Sequence, residues 1–233
     1  MGEGELGMIL FAYDFPHRKT QDFINYLQYF NFKLDAVIGA PKQFLKIPEQ
    51  KYHSGVPTIG LHDTREMCWK MKIPYYMMGH NSPECLHYLD RVKPKLGLIS
   101  GARMLKKEVI DKFSLGIINF HPGGIPDCRG LDTAHWILYN ELDIAVTSHF
   151  IDGRVDAGWI IKRQEFNKPE DYTLQDIGSL LYYGQLAIFR ESISAVKGKK
   201  KEDFEYVPLD APKPYGYFPP ELEDEMYEKC RTL

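Results

Sequence analysis

The sequence predicts an α/β fold, a mostly parallel twisted sheet with helices on both faces, and three observations carry that expectation. From Met8 onward, short apolar runs alternate with longer amphipathic stretches, the rhythm of parallel strands joined by covering helices. The 233 residues are enough to bury one large core with a small appendage at an end. Hydrophobic residues at 44% and charged residues at 26% match ordinary globular usage, which argues against a disordered or fibrous chain.

MILFAY, from Met8, reads as a buried first strand, and residues 20–30 place Phe23, Tyr26, Leu27 and Phe30 on one helical face. KLDAVIGA gives a second strand. Prolines and charges without periodicity over 43–60 predict an irregular excursion within the domain. A helix over 62–71, a short strand at PYYMMG, a helix over 82–92 with Pro83 in its first turn and the strand LGLIS come next. Residues 105–113 make another amphipathic helix. GIINF, from Gly116, is a strand; a helix over 132–140, with Asp132 and Thr133 placed to cap it, leads to the strand IAVTSHFI, and WIIKRQEF gives one more. Ile177, Leu180, Leu181, Leu186 and Ile188 recur at helical spacing and predict a single long helix over 174–196. Pro208, Pro212, Pro214, Pro219 and Pro220 then break any continuous helix, leaving 221–230 for a last short one.

The formal charge of −3 carries only one basic run, Lys197, Lys199, Lys200 and Lys201, which reads as a solvated helix end. Nucleic acid is therefore not an expected partner. Cys68, Cys85, Cys128 and Cys230 are scattered without a CxxC pair, and the start does not read as a signal peptide, so a reducing cytoplasm is expected. No apolar run approaches the roughly 20 residues of a membrane span, and no membrane partner is expected. The leading MGEGELG has no apolar periodicity and is assigned no function.

The chemistry concentrates in GIINFHPGGIPDCRG, residues 116–130. A strand runs straight into Asn119-Phe120-His121, so two polar side chains, two apart, project to the same side where the strand ends. Pro122, Gly123, Gly124 and Pro126 impose a turn that lets other groups come close. Ligands of open α/β sheets bind at such carboxyl ends. Each residue also has a plain reading, an Asn that satisfies a turn and a His that is hydrogen-bonded and structural. The next polar strand, with Thr147 and His149, is followed by IDGRVDAG, which puts Asp156 in a glycine-flanked loop from which its carboxylate can orient His121. His121, Cys128, His135 and His149 fit no closed zinc site by spacing, so no metal is expected. His17-Arg18-Lys19 follows the first strand, where a phosphate could lie, but an exposed basic turn is the commoner reading.

The paired segments NFHPGGIPDCRG and TSHFIDGRVDAGWII resemble the signature of the folate-dependent formyltransferases, in which an Asn-x-His pair ends one strand and an Asp-x-Gly follows a Thr-x-His strand. Asn119, His121, Thr147, His149, Asp156 and Gly158 match at compatible spacing, and the resemblance runs over residues 8–196, strongest over 98–161. It implies a Rossmann-like catalytic domain over 8–200 with a C-terminal extension over 201–233. It also implies 10-formyltetrahydrofolate as co-substrate, and Asn119, His121 and Asp156 as catalytic residues. By the same resemblance the donor's pteridine sits against loop backbone at Gly101, Arg103, Met104 and Leu105 and at Ile151, Asp152 and Val155. Met104 and Leu105 read equally as ordinary core at a helix start.

A neutral amine attacking the formyl carbon leaves negative charge on oxygen and positive charge on nitrogen. Asn119 can donate to that oxygen, a contribution of about 100- to 1000-fold. His121 can take the amine proton or pass one to the leaving folate nitrogen, on the order of 100- to 10,000-fold. Asp156 would hold the ring and stabilise its cation. The turn after the first strand, AYDFPHRK, lacks the Gly-rich phosphate turn of glycinamide ribonucleotide enzymes. The short tail and acidic balance lack the added domain and basic surface of methionyl-tRNA enzymes. These departures favour a nucleotide-linked amino sugar, foremost a 4-amino-4,6-dideoxyhexose on dTDP, UDP or GDP, and the resemblance adds a possible homodimer. Tyr206, Tyr215, Tyr217 and Phe218 of the tail either stack on that nucleotide or, the preferred reading, pack on the main domain or a partner subunit. Another amine acceptor, hydrolysis of the formyl folate by water, and a non-catalytic folate-binding module are the rival readings.

Overall fold

The computed structural model describes residues 7–168 and 171–231. Five strands run parallel: β1 (Met8–Tyr13), β2 (Ala36–Ala40), β3 (Tyr75–Met77), β4 (Leu96–Ile99) and β5 (Gly116–His121). Three more, β6 (Ala145–Ile151), β7 (Gly158–Glu165) and β8 (Glu205–Tyr206), continue the sheet antiparallel. The spatial order is β3-β2-β1-β4-β5-β6-β7-β8. The predicted α/β class and mostly parallel sheet are present, with the parallel half wound outward from β1 in both directions. Of the leading MGEGELG, only Gly7 falls within the described residues.

Strand alternation sorts the core into two layers. On β1, Met8, Leu10 and Ala12 join one apolar cluster while Ile9 and Phe11 join the other. The first layer is closed by α1 (Arg18–Tyr29), α2 (Thr64–Lys70), α5 (Thr133–Asn140) and α6 (Leu174–Ala187), through Phe23, Leu27, Met67, Ile137 and Leu181. The second is closed by α3 (Pro83–Val92) and α4 (Lys107–Ile110), through Cys85, Leu89 and Val109. α3 begins as its sequence suggests, with Ser82 accepting from the Cys85 amide and Pro83 in the first turn. Among the described residues no helix is long and apolar enough to cross a membrane.

Four expectations are corrected. The helix expected over 105–113 shrinks to the four residues of α4, because the Asn81 side chain holds the Met104 carbonyl and the Lys106 amide and keeps that stretch extended. The long helix over 174–196 is interrupted at Ile188, where the Ser192 hydroxyl adds a bond to the Ile188 carbonyl, and it resumes as α7 (Phe189–Ala195). Asp132 does not cap α5; its carboxylate accepts from Gln50 and from the Phe218 amide, tying the excursion and the tail to the helix start. Lys19 is not an exposed turn residue, since its ammonium is buried and bonded inside the fold.

The irregular stretch before α2 is anchored through its backbone. Lys51 and Tyr52 donate to Glu223 of α8 (Glu223–Arg231), and Tyr52 stacks on Tyr227. The tail packs back on the domain, with β8 pairing antiparallel on β7 and Tyr215 forming a parallel bridge to Gly130. Phe218 is fully buried among His135, Trp136 and Tyr139, Tyr215 stacks on Trp136, and Tyr206 packs on Trp159.

Candidate active site

The antiparallel pairing of β5 and β6 sets Asn119 opposite His149 and His121 opposite Thr147. Ile118 and Phe120 enter the first core layer, so Asn119 and His121 take the other face, as do Thr147 and His149 between the buried Val146 and Phe150. Four polar side chains thus gather on one face at the end of two neighbouring strands. Ser148 points the opposite way and meets the Ser192 hydroxyl at 2.7 Å.

Asp156 completes the group from the loop before β7, in a left-handed backbone conformation (φ 40°) that Asp tolerates better than most residues. Its Oδ1 accepts from Asn119 Nδ2 at 3.1 Å and faces His121 Nδ1 at 3.4 Å, while Oδ2 accepts from the Gly130 amide at 3.0 Å. The second amide hydrogen of Asn119 is directed at His149 Nε2, 3.3 Å away, and His149 Nδ1 donates to the Ala157 carbonyl. Burial pushes His149 down to about 4, so it is neutral and accepts at Nε2. His121 Nε2 donates to the Cys128 carbonyl at 2.9 Å, so Nδ1 is the ring nitrogen turned to Asp156. Burial alone would raise the Asp156 carboxyl. The facing His121, the neighbouring His149, the Gly130 amide and Lys19 outweigh it and hold the group below the usual carboxylate range.

The turn between Asn119-x-His121 and Gly130 is fixed by close approach. A Cβ on Gly123 would lie 2.4 Å from the Cys128 carbonyl oxygen and 2.7 Å from His121 Nε2, so only glycine leaves room for that hydrogen bond. Thr147 Oγ1 donates to the Gly123 carbonyl and accepts from the Ile125 amide. The matched Thr147 is thus a clamp on the turn.

A cleft of about 590 Å³ opens beside this group, with Asn119 and Asp156 on its wall. Arg103, Met104 and Leu105 line it, as do Ile151, Asp152 and Val155. Gly101 does not: it is buried, bonded to the Phe11 carbonyl, and packed so closely on Tyr13 that a Cβ would sit 2.6 Å from the ring. His121, only 3% exposed, stands behind Asp156 and off the wall. The Asp152 carboxylate is occupied by Arg154 and the Tyr206 hydroxyl. Among the described residues the backbone amides of Arg103 and Met104 donate to nothing within the chain, which leaves them available to an acceptor atom.

Sequence reasoning missed part of the wall. Tyr13, Pro214 and Gly216 line it, beside Tyr215 and Tyr217, which the sequence had offered as stacking residues. The tail is pinned where Tyr215 exchanges backbone bonds with Arg129 and Leu131, and where Arg129 donates to the Pro212 and Val155 carbonyls. Backbone bonding of that kind leaves no residue-type signature. His135, weighed as a zinc ligand, turns instead to the Tyr52 carbonyl.

Comparison with known proteins points one way. Residues 37–182 match the formyl transferase family model. The chain is 24% identical over 161 residues to the methionyl-tRNA formyltransferase of Clostridioides difficile, an alignment covering 65% of this chain and 52% of that protein. It spans about half the length of the curated relatives it matches. Its fold is similar to a sugar N-formyltransferase from a Shewanella species (TM-score 0.62, 12% identity, 91% of this chain and 77% of the other). It is also similar to a phosphoribosylglycinamide formyltransferase from Streptococcus pneumoniae (TM-score 0.61, 14% identity, 82% and 98%). With more than half its length matched, and with Asn119, His121 and Asp156 gathered at the strand ends inside that match, the chain belongs to the formyl transferase family.

Proposed function

We propose that this chain moves the formyl group of 10-formyltetrahydrofolate to a primary amine, in a catalytic domain over 8–200 to which the 201–233 extension adds one cleft wall. The observation that supports it is the position of Asp156, on the cleft wall and in contact with both Asn119 and His121. The donor supplies the formyl carbon. Its ring edge fits against the backbone of Arg103 to Leu105 and of Ile151 to Val155, with Gly101 shaping that loop from behind through Tyr13.

Asn119 turns one of its two committed amide hydrogens toward the carbonyl oxygen as negative charge develops there, the kind of donor that contributes about 100- to 1000-fold. Asp156 takes the proton of the attacking amine at the cleft and shares it with His121 Nδ1, 3.4 Å from Oδ1. The same proton returns through Asp156 to the folate nitrogen as its bond to the formyl carbon breaks, so tetrahydrofolate leaves protonated. The Cys128 carbonyl keeps the ring in the tautomer that can receive that proton. His121 then acts through Asp156 rather than by touching the amine, which is why a buried imidazole can serve.

For the acceptor we favour a nucleotide-linked amino sugar. A neighbouring fold is a formyltransferase bound to folinic acid and dTDP-3-aminofucose, and Tyr13 and Tyr217 give this cleft aromatic surface for a base or sugar ring. Incubation with 10-formyltetrahydrofolate and a panel of amines tests the reading. The panel holds nucleotide-linked 3- and 4-amino sugars, glycinamide ribonucleotide and methionyl-tRNA. Tetrahydrofolate release coupled to a one-formyl mass gain on a sugar nucleotide is expected. Release without any amine would make the chain a hydrolase, and no release with any acceptor would sink the proposal.

A further inference from the structure

Lys19 lies in the first turn of α1. Its Nζ donates to the Phe120 carbonyl at 2.7 Å and to Gln185 Oε1 at 2.8 Å, and the Phe23 ring lies 5.4 Å away. Phe120 is the residue between Asn119 and His121, so the carbonyl held this way belongs to the peptide that carries His121. The β4–β5 ladder ends at the pair Ile99–Asn119, and one residue further the Phe120 carbonyl takes its hydrogen bond from Lys19.

Burying an ammonium is costly unless it is hydrogen-bonded and faced by opposite charge. Both contact partners of Lys19 are neutral. The opposite charge that acts on it is Asp156, and the effect is mutual: Asp156 favours the charged lysine, and Lys19 favours the ionised carboxylate. Burial nonetheless pushes Lys19 down to about 8. The groups around it are Gln185 from α6, the Phe120 carbonyl from β5, Asp156 with His121 and His149 beside it, and His17. Burial first, and Lys19 second, push His17 down to about 4, so it is neutral. Asp22, one turn along α1, is committed to Arg18 and the Tyr182 hydroxyl.

We propose that Lys19 is a positioning residue of this site, its ammonium fixing the strand end that presents Asn119 and His121 and countering the charge of Asp156. It lines no part of the cleft. Lys19 favours the ionised form of Asp156, and its charge strengthens the hydrogen bond by which it holds the Phe120 carbonyl at the strand end. Its own deprotonation removes that support, so the site loses activity as pH rises through the lysine's titration. The kinetic part of this inference rests on the formyl-transfer reading; the electrostatic part does not.

The test uses the full chain as wild type, Lys19→Met, Lys19→Arg and Gln185→Leu, each checked for folding by circular dichroism. Two readouts are the pH profile of kcat and the ¹³C NMR titration of the Asp156 carboxyl. Wild-type kcat should fall on the alkaline side near pH 8. Lys19→Met should lower kcat at pH 7 by roughly 10- to 100-fold, with KM nearly unchanged, and should lack that alkaline limb. Lys19→Arg should recover part of the rate and carry the limb to higher pH. Gln185→Leu, which removes one acceptor but keeps the lysine, should carry it to lower pH. Wild-type rate and limb in Lys19→Met would overturn the proposal; should that variant not fold, a limb unmoved in Gln185→Leu would do so. A wild-type chain that consumes no donor would end the formyl-transfer reading, and Lys19 is then decided by the Asp156 titration. Movement to higher pH in Lys19→Met supports the role, and an unmoved titration refutes it.

Discussion

His121 and Asp156 divide one task, and their separation across the cleft wall makes the division measurable. Replacing His121 with Ala should lower kcat by roughly 100- to 10,000-fold while donor affinity, measured by isothermal titration, changes little, because the ring lines no part of the cleft. Parallel loss of binding and folding would make His121 structural. Asp156→Asn preserves shape and an acceptor for the Gly130 amide but can no longer take a proton, so kcat should fall by at least about 100-fold. A wild-type rate across the pH range would remove Asp156 from the mechanism. Asn119, His121 and Asp156 were legible in the sequence because strand periodicity and the paired segments both marked them. His149 and Thr147 matched the same segments, but their tasks, accepting from Asn119 and clamping the Gly123 turn, depend on cross-strand register. Lys19 left no such trace, since its partners Phe120 and Gln185 lie 101 and 166 positions away.

Among the elements, the predicted strands kept their places, the short β8 came unforeseen, and the helix ends shifted. A strand buried on both faces announces itself by composition, whereas a helix end is set by what its last turns touch. Asn81 shortened α4, and Ser192 broke the long helix at Ile188. The tail shows the limit most clearly: its prolines correctly denied a helix, yet nothing in them said that Tyr215 would bridge Gly130 and bring Tyr217 to the cleft. Gly130 has φ 101°, and a Cβ there would lie 2.0 Å from the Tyr215 carbonyl oxygen. Gly130→Ala should therefore destabilise the chain by about 1–3 kcal/mol in urea unfolding and weaken donor binding by displacing the wall. Undiminished affinity in a folded variant would show that the tail contact is dispensable to the cleft.

At the scale of the whole molecule, the buried neutral histidines tie stability to pH. His149 titrates at about 4 in the fold, against a reference near 6.5 in the unfolded chain, so the unfolded state binds more protons between those values. Stability is then full above about pH 6.5 and falls as pH drops toward 4. The fall attributable to His149 is about 3 kcal/mol, and His17 adds to it in the same direction. Urea midpoints measured from pH 7 to pH 4 should show the decline, reduced in His149→Gln; a flat profile would mean that His149 is charged or exposed in solution. The sequence by itself determined the class of fold, the order of its strands along the chain and the three residues that face one another at their ends, because periodicity and local spacing are properties of neighbours in the chain. The antiparallel extension of the sheet, the lysine bonded behind β5 and the wall supplied by the tail were decided only in three dimensions. Those features rest on backbone hydrogen bonds and burial between residues far apart in sequence, which residue type and spacing do not encode.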